Sequence, residues 1–476
     1  MMTTSAPRAS WKPLALLVAG AFFMENLDGT IVVTATRRMA QSFHVPPVDL
    51  NVPVAAYLLV LGALIPVSGW LADRFGARRT FAWAVVVFTV ASGLCALSMS
   101  LDFLTAMRVL QGAGGAMMVP VGRLVVLSAV DRANVINAVA YLTWPALAAP
   151  VIAPAIGGAI TTFLSWRWIF VINLPLGAVA MVAALRIVPD VRAAKQRRLD
   201  WAGFCLTGLG ILVFVGGLES VTGGSSALWR TLGALVVGGA LLSFAVRHLL
   251  RTAQPLLQLQ VLRILTFRVM VLGGSLFRMA NAAAPFLLPL LFQEAFGWSP
   301  LRAGLVIIPI FVGNIGIKPF TTRLMRRFGF KATLIVSNLA SGLALALCAT
   351  FSAHTPLVLV VLVLLPVGIF RSIGFTAYNT LYLADIARDE MNNANTLAST
   401  VQQLTMGLGV AVGAIALYAA TPIDKALGAA SSGRGPFVIA FLLIGLLPLA
   451  AAGESTTLAR GAGSTLTAPL AKRSEA

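Results

Sequence analysis

Apolar stretches long enough to cross a lipid bilayer recur along almost the whole chain, separated by short polar segments. A helix of about 20 apolar residues spans the hydrocarbon core of a membrane. Because lipid offers the backbone no hydrogen-bond partner, such stretches must fold as helices rather than as open strands. The composition agrees, since 58% of the residues are hydrophobic, 11% are charged and the mean hydropathy is +0.90. These values exclude a water-soluble globule and predict an all-α integral membrane protein.

We predict fourteen transmembrane helices from the apolar stretches. Their approximate extents are residues 13–34, 51–72, 80–99, 103–127, 134–161, 167–188, 201–219, 227–247, 266–292, 301–319, 332–352, 356–384, 393–420 and 436–453. The first span contains Glu25 and Asp28, and no small-residue cleavage pattern follows it. It is therefore expected to be a membrane span and not a cleaved signal peptide.

Basic residues outnumber acidic ones, with 35 Lys and Arg against 16 Asp and Glu. If both termini are cytoplasmic, about 24 basic residues fall in cytoplasmic segments and about 7 in outer ones, the bias of retained loops. We therefore predict cytoplasmic N and C termini. The basic loops at 186–198, 247–268 and 318–331 are expected to contact the anionic headgroups of the lipid bilayer. No segment outside the spans is large enough for a nucleic-acid-binding domain, so no nucleic acid partner is expected.

An internal repeat divides the chain into two halves. The sequence GWLADRFGARRTF at 69–81 recurs as TRLMRRFGFKATL at 322–334, an offset of 253 residues (322 minus 69). Two related helical bundles around a midplane cavity are typical of secondary transporters. We expect an N-terminal six-helix bundle at 13–188, two inserted helices with basic loops at 189–265, a C-terminal six-helix bundle at 266–454 and a short disordered cytoplasmic tail at 455–476.

Glu25 and Asp28 are the only two acids well inside predicted spans, and their spacing places them on one helix face. A charged carboxylate is costly in a low-dielectric bundle, so such a group can bind and release protons. Depth counting puts Asp28 about 22 Å from the inner end of its span and Arg108 about 8 Å from the outer end of the fourth. We predict that these two residues pair, either for proton coupling together with Glu25 or as a static ion pair.

The offset of the repeat aligns Glu25 with Arg278 and Asp28 with Asn281. Acids of the first half thus correspond to a cation and an amide in the second half. Arginines inside membrane spans rarely face lipid, so Arg278 and Arg371 are candidates for lining a substrate cavity, and Asn281 is expected in the same cavity.

Aromatic side chains follow Arg371 in the same span at helical spacing, namely Phe375, Tyr378 and Tyr382. Gln402 in the thirteenth span adds hydrogen-bonding capacity. Together they predict a polar and aromatic wall of the substrate cavity. The alternative is that the aromatic rings pack between helices and that the glutamine holds spans together.

Cysteine and histidine residues show no spacing typical of metal or redox sites. The cysteines fall inside predicted spans and are Cys95, Cys205 and Cys348. The histidines lie in loops or at span ends, far apart in sequence, at His44, His248 and His354. No GxxxxGK[ST] loop is present, so ATP is not expected to bind. We expect no metal, no cofactor and no catalytic residue, and we expect a proton gradient to be the energy source.

Three local motifs carry a resemblance to a known family. The turn between the second and third spans contributes Gly69, Leu71, Ala72, Asp73, Arg74, Gly76 and Arg78. The fourth span contributes Arg108, Gln111, Gly112 and Gly114. The fifth span contributes Pro154, Gly157 and Gly158. Together these motifs resemble the major facilitator superfamily, specifically the fourteen-span drug:proton antiporter family (EmrB/QacA type) with its MdtD-like multidrug efflux members. Members of that family usually have glycine in the fifth span at two positions where this chain has Ala149 and Ala153.

The resemblance implies that the turn around Asp73 is a conformational latch, in which this acid meets Arg74, Arg78 or the terminus of a neighbouring helix. A plain basic loop that fixes topology would explain the arginines but not the acid, Gly69 or Gly76. The second repeat has an arginine at the position of Asp73, so gating is expected to be asymmetric.

The resemblance implies proton-coupled efflux of a small-molecule substrate by a multidrug-type antiporter of the bacterial cytoplasmic (inner) membrane. Arg278 and Arg371 favour an alternative cargo, namely organic anions or metal chelates of the citrate type. A membrane sensor that transports nothing is less favoured because the predicted tails are short. An enzyme is not expected, because no paired catalytic constellation is present.

Overall fold

The computed structural model describes residues 11–131, 134–189, 198–219, 225–387, 389–426 and 433–467. These residues form an all-helical protein. The α-helices are α1 (Trp11–Phe43), α2 (Asn51–Phe75), α3 (Ala77–Ala96), α4 (Leu101–Ala129), α5 (Val135–Phe163), α6 (Trp168–Val171), α7 (Asn173–Ile187), α8 (Trp201–Glu219), α9 (Ser225–Arg251), α10 (Leu265–Leu290), α11 (Pro300–Gly316), α12 (Lys318–Cys348), α13 (Leu357–Leu381), α14 (Met391–Ala426), α15 (Gly435–Thr456) and α16 (Ser464–Thr467). Short 3₁₀ helices cover Pro47–Leu50 and Leu259–Arg263, and one π-helical turn covers Leu291–Ala295.

Eleven helices in the described part of the chain are long and apolar enough to cross a membrane. Two further apolar helices, Trp201–Gly217 and Arg302–Gly316, are shorter. The protein is therefore a multi-pass membrane protein, and the count of fourteen spans remains a prediction. Of the predicted tail at 455–476, residues 468–476 lie outside the described residues.

The turn between α2 and α3 is tighter than the sequence predicted. Only Gly76 separates the two helices, and its backbone has φ of 90°, a conformation that residues with a Cβ rarely adopt. The corresponding turn of the second repeat is Gly329, with φ of 74°, which kinks α12. Both turns therefore need glycine for the same steric reason.

Residues cluster into two compact units, and the first comprises Met1–Gly217, Leu232–Leu259 and Ala387–Thr400 over its described residues. Within it, α1 packs on α5, α4 packs on α2 and α3, and α3 packs on α7. An apolar core lies between α1, α5 and α6 and includes Ile31, Ala153 and Phe170. This core holds the middle of α1 in place.

The second unit comprises Leu218–Thr231, Gln260–Ile386 and Val401–Ala476 over its described residues. Within it, α13 packs on α11 and α12, and α15 packs on α10 and α12. Its apolar core includes Phe292, Trp298 and Phe441. The pairs α2 with α4, α3 with α4 and α3 with α7 thus have counterparts in α11 with α13, α12 with α13 and α12 with α15.

The helices α8 and α9 pack against each other through glycines. A Cβ at Gly210 would lie 2.9 Å from Leu242, and one at Gly238 would lie 2.7 Å from Phe214. Most of this pair is grouped with the first unit. The predicted boundaries of a separate inserted segment at 189–265 remain predictions.

Candidate functional site

A buried cluster in the first unit is built around the carboxylate of Asp28. Arg108 Nη1 donates to Asp28 Oδ2, so the pairing expected from depth counting is confirmed. Gln111 Nε2 and Asn173 Nδ2 donate to the other oxygen, Oδ1, at 2.9 and 2.8 Å. Both Asp28 and Arg108 are almost completely buried. The carboxylate therefore receives three donors from α4 and α7, which compensates its removal from water.

Close packing of α4 against α2 places Arg108 in this cluster. The guanidinium carbon lies 4.1 Å from the centre of the Tyr57 ring, an attractive cation–π geometry. A Cβ at Gly112 would lie 2.7 Å from the Tyr57 carbonyl oxygen. The absence of a side chain at position 112 is therefore what lets α4 approach α2 at this level.

Glu25 lies one helical turn before Asp28 and has a different environment. Its Oε2 atom is buried and has no hydrogen-bond partner among the described residues, and the same holds for the Tyr57 hydroxyl. A Cβ at Gly115 would lie 3.5 Å from that hydroxyl and 3.7 Å from Glu25 Cδ, so both groups face one glycine. The charged groups that act on Glu25 include Asp28 and Arg123. Of two acids on one helix, one is saturated with donors and the other is not.

A second buried cluster, in the second unit, is built around the guanidinium of Arg278. Its Nη2 atom donates to Asn379 Oδ1 at 3.1 Å, and its Nη1 atom contacts Met270 Sδ at 3.9 Å. Gln402 Nε2 donates to the same amide oxygen of Asn379 at 2.6 Å. Arg278 is 1% exposed. Arg278 and Gln402, which are both candidates for the substrate cavity, thus donate to the same asparagine oxygen.

Tyr378 and Asn281 form hydrogen bonds to side chains of neighbouring helices. Asn338 Nδ2 donates to the Tyr378 hydroxyl at 2.9 Å and to Ser455 Oγ at 3.2 Å. Asn281 Nδ2 donates to Ser341 Oγ at 3.3 Å. Both side chains therefore join neighbouring helices, and their role in lining a substrate cavity remains a prediction.

Two further cations lie in apolar surroundings of the second unit. The guanidinium carbon of Arg371 is 5.6 Å from the Phe375 ring centre, and that of Arg278 is 6.0 Å from the same ring. Lys318 begins α12, is 5% exposed, and donates from Nζ to Thr376 Oγ1 at 2.7 Å. The sequence predicts Lys318 in a basic loop, and its burial at the start of α12 corrects that prediction.

The predicted latch contacts the start of α14. Asn392 Nδ2 donates to Asp73 Oδ1 at 2.6 Å and to the Gly69 carbonyl at 2.9 Å. A Cβ at Gly69 would lie 2.4 Å from Thr396 Oγ1, so glycine permits this approach of α2 and α14. Asp73 thus accepts a hydrogen bond from an asparagine side chain near the start of a helix.

The arginines of the turn behave differently from one another. Arg78 Nη2 donates to the carbonyl of Leu185 in the last turn of α7, where a cation favours the helix C-terminus. Arg74 is exposed. In the second repeat, Lys331 Nζ donates to the carbonyls of Thr456 and Leu458, both at 2.7 Å, at the end of α15.

The predicted antiporter motif lies where α5 packs on α1. A Cβ at Gly157 would lie 2.1 Å from Thr34 Oγ1, whereas one at Gly158 would meet nothing within 4 Å. The backbone of Pro154 belongs to α5, and its side chain is outside the part of the chain that the structure describes. Gly157 is therefore the motif position that sets the spacing of these two helices.

A polar cluster that the sequence analysis missed joins the ends of α8 and α9. Asp200 Oδ1 accepts from the Gly203 amide at 2.9 Å and contacts His248 Nε2 at 2.8 Å. Asp200 Oδ2 accepts from the Leu256 amide at 3.2 Å. His248 lies near the end of its span, as predicted, and no sequence motif indicates its contact with Asp200, which is 48 residues away.

Other polar residues of the clusters were also missed. Asn173 is a lone amide in an apolar span, and Asn392 lies in the Asn-rich sequence MNNANT at the start of α14. A single polar residue within an apolar stretch was the available signal for Asn173. No such signal was available for Asn392, because its sequence context is typical of a polar loop.

Comparisons with known proteins agree with these motifs. The family model described as Major Facilitator Superfamily matches residues 16–410. Proteins of Salmonella paratyphi A, Salmonella newport and Salmonella typhi, all provisionally named multidrug resistance protein MdtD, are 36% identical over 401 residues. Those alignments cover 84% of this chain and 85% of each relative.

Two solved structures share the fold at low sequence identity. The crystal structure of the human organic anion transporter MFSD10 gives a TM-score of 0.66 at 13% identity, covering 94% of this chain and 100% of that chain. The proton:xylose symporter XylE gives 0.62 at 14% identity, covering 96% and 98%.

Proposed function

The chain belongs to the Major Facilitator Superfamily of membrane transporters, and on this premise we propose that it exports small molecules in exchange for protons. It is a transporter and not an enzyme. The proposal includes the bacterial cytoplasmic membrane, cytoplasmic termini and fourteen spans, with two six-helix bundles and two central helices. Bacterial relatives that carry the multidrug resistance name support a multidrug-type cargo.

The observation that carries the proposal is the unequal environment of the two acids on α1. Asp28 has three hydrogen-bond donors, whereas Glu25 Oε2 is buried with no hydrogen-bond partner among the described residues. Taking up a proton at Glu25 removes a buried negative charge without breaking a hydrogen bond to Oε2. Taking up a proton at Asp28 requires giving up part of the contact with Arg108.

A transport cycle follows from this difference. A proton from outside binds the Glu25 carboxylate, and its release on the inner side restores the charge. Cargo leaves in the opposite direction because each access state favours only one of the two occupants. The Asp28–Arg108 pair holds α1 and α4 together and changes when the helices rearrange. Release of Asn392 from Asp73 at the latch accompanies the change of access.

A second candidate cargo is an organic anion, and a specific observation favours it. Arg278, Arg371 and Lys318 are three cations in largely apolar surroundings of the second unit. Guanidinium groups bind carboxylates through paired donors, and such sites are strong where water is excluded. Citrate-like anions or their metal chelates would be recognised by this set.

Purified protein in liposomes with an imposed proton gradient tests both points. We expect uptake of a quaternary-amine dye together with proton release from the liposomes, measured with an internal pH dye. Glu25→Gln should abolish proton movement, whereas Glu294→Gln, which changes an exposed acid, should not. Undiminished proton-coupled uptake in Glu25→Gln would refute the proposed proton site. Competition by polycarboxylates rather than by amines would identify the anion as cargo.

A further inference from the structure

The segment that joins α9 to the 3₁₀ helix Leu259–Arg263 is anchored to the start of α8. Asp200 caps α8 through Gly203, and it also binds the Leu256 amide and His248 in the last turn of α9. The Arg198 amide adds a bond to Gln254 Oε1 at 3.4 Å. One carboxylate thus fixes the ends of two helices and the segment that follows them.

The anchoring carboxylate of Asp200 is ionised and packs closely against Gly203. Burial opposes ionisation of Asp200, but hydrogen bonds from Gly203, His248 and Leu256 outweigh it, so the pKa of Asp200 lies below its ordinary value. Its side chain is 6% exposed. A Cβ at Gly203 would lie 2.2 Å from Asp200 Oδ2, so a larger residue at position 203 would displace the carboxylate.

The anchored segment reaches the start of α14. Asn393 Nδ2 donates to Gln258 Oε1 at 2.9 Å. The preceding residue, Asn392, binds Asp73 and Gly69 on α2. Three residues after Asn392, Asn395 Nδ2 donates to the Pro120 carbonyl on α4 at 2.8 Å. Three asparagines therefore tie the start of α14 to three different elements of the first unit.

The anchor and the latch also adjoin each other. Asp73 and Asn393 line one small pocket together with Arg198 and Asp200. A shift of the anchored segment therefore acts on the latch, since Leu256 of the segment and Asp73 of the latch line the same pocket.

We propose that Asp200 and Gln258 are positioning residues of the transport cycle, which hold the start of α14 against α2 through the Gln258–Asn393 hydrogen bond. The two helices α8 and α9 then act as a brace that sets how long the latch stays closed. This inference rests on the proposed function, since it concerns a transporter that changes access. It requires neither a particular cargo nor a proton at Glu25.

The physical consequence is a shift between access states rather than a loss of binding. Opening the latch breaks the Asn393–Gln258 bond along with the bonds of Asn392. Removing one such bond should change the ratio of open to closed latch by about 2- to 10-fold, the usual net effect of one hydrogen bond. Turnover should change by a similar factor, while the KM for cargo should change little.

The rate of thiol labelling at the latch measures how often the latch opens, without requiring a transport assay. In protein lacking Cys95, Cys205 and Cys348, Thr396→Cys places a thiol against Gly69, where Thr396 is 3% exposed. Gln258→Ala and Gly203→Ala should each raise its maleimide labelling rate by about 2- to 10-fold. Gln260→Ala, at a nearby exposed glutamine, should leave the rate unchanged. Equal rates in Gln258→Ala and Gln260→Ala would refute the brace.

Two further variants separate positioning from general destabilisation. The exchange Gln258→Asn with Asn393→Gln preserves the combined side-chain length and should restore labelling and turnover, whereas each single change should not. Cysteines at both positions, bridged by a short reversible cross-linker, should stop transport until a reductant is added. Full transport by the bridged protein would overturn the inference. That result would leave the proton role of Glu25 untouched, because Glu25→Gln is tested by proton movement.

Discussion

The polar cluster of the first unit surrounds a carboxylate, whereas that of the second unit surrounds a guanidinium. Asp28 collects donors from Arg108, Gln111 and Asn173. Arg278 instead donates to the amide oxygen of Asn379. The helix pairs around the two clusters correspond, so the repeat preserved packing while the sign of the central charge changed. Symmetry of the fold therefore does not imply symmetry of the chemistry.

The turns of the two repeats show the same division between backbone and charge. Gly76 and Gly329 both have positive φ, and Arg78 and Lys331 both bind carbonyls at the end of a neighbouring helix. Arg326 stands where the first repeat has Asp73. Steric and capping features are thus retained in both halves, and the acid that binds Asn392 is confined to one.

The largest expected effect is the loss of stability when the buried arginine of each cluster is replaced. Arg108→Gln leaves the buried Asp28 carboxylate without its cation and should lower the free energy of unfolding by about 3–5 kcal/mol. Arg278→Gln should cost about 1–3 kcal/mol, since a neutral donor can replace the bond to Asn379. Thermal unfolding in detergent micelles measures both, with Arg460→Gln at an exposed position as control.

Equal losses in the two variants would show that the clusters are energetically alike. The double variant Asp28→Asn with Arg108→Gln sharpens the test, because removing both charges should recover part of the stability lost by Arg108→Gln alone.

The next effect separates the two acids of α1. Glu25→Gln should abolish proton-driven transport, so the ratio of cargo uptake with a proton gradient to uptake without one should fall to about 1, a loss of the 5- to 150-fold stimulation that typical coupling energies give. Its thermal unfolding should be close to that of the unchanged protein, because no hydrogen bond to Oε2 is lost. Gradient-driven uptake and thermal unfolding, measured on one preparation, would show that proton coupling is lost while stability is kept. A large loss of stability would contradict this prediction.

A third effect concerns the cations of the second unit. If the cargo is an anion, Lys318→Gln should raise the KM for a polycarboxylate by about 10-fold or more, as expected for a lost charged hydrogen bond. The KM for a quaternary amine should not rise. Uptake kinetics measured with both compounds test whether Lys318 binds an anionic cargo. An equal rise of both KM values would assign Lys318 a structural role.

The smallest effect compares the turns. Gly76→Ala and Gly329→Ala should each cost about 1–2 kcal/mol, because both positions hold a backbone conformation that disfavours a Cβ. Similar losses of thermal stability in the two variants would support a shared steric role. Gly304→Ala, in a helix with open space at that position, provides a control.

Features that depend on one helix at a time were predictable from the sequence. Each predicted span coincides with described helices, and depth along the bilayer is enough to pair Asp28 with Arg108. Lys318 was misread because a residue at a span boundary can be buried or exposed, and only the packing of α12 on α13 decides between them. The bond between Asp200 and His248 joins the ends of two helices that the sequence keeps far apart.

The close approach of α4 to Tyr57 has a consequence for mutational tolerance. Position 112 carries no charge and touches no acid, yet any side chain there would collide with the Tyr57 carbonyl and carry Arg108 away from Asp28. A saturation library at this codon should therefore yield inactive proteins even among the smallest substitutions. Loss of activity at a residue of this kind reports on helix spacing, and a screen that scores only charged positions would overlook it.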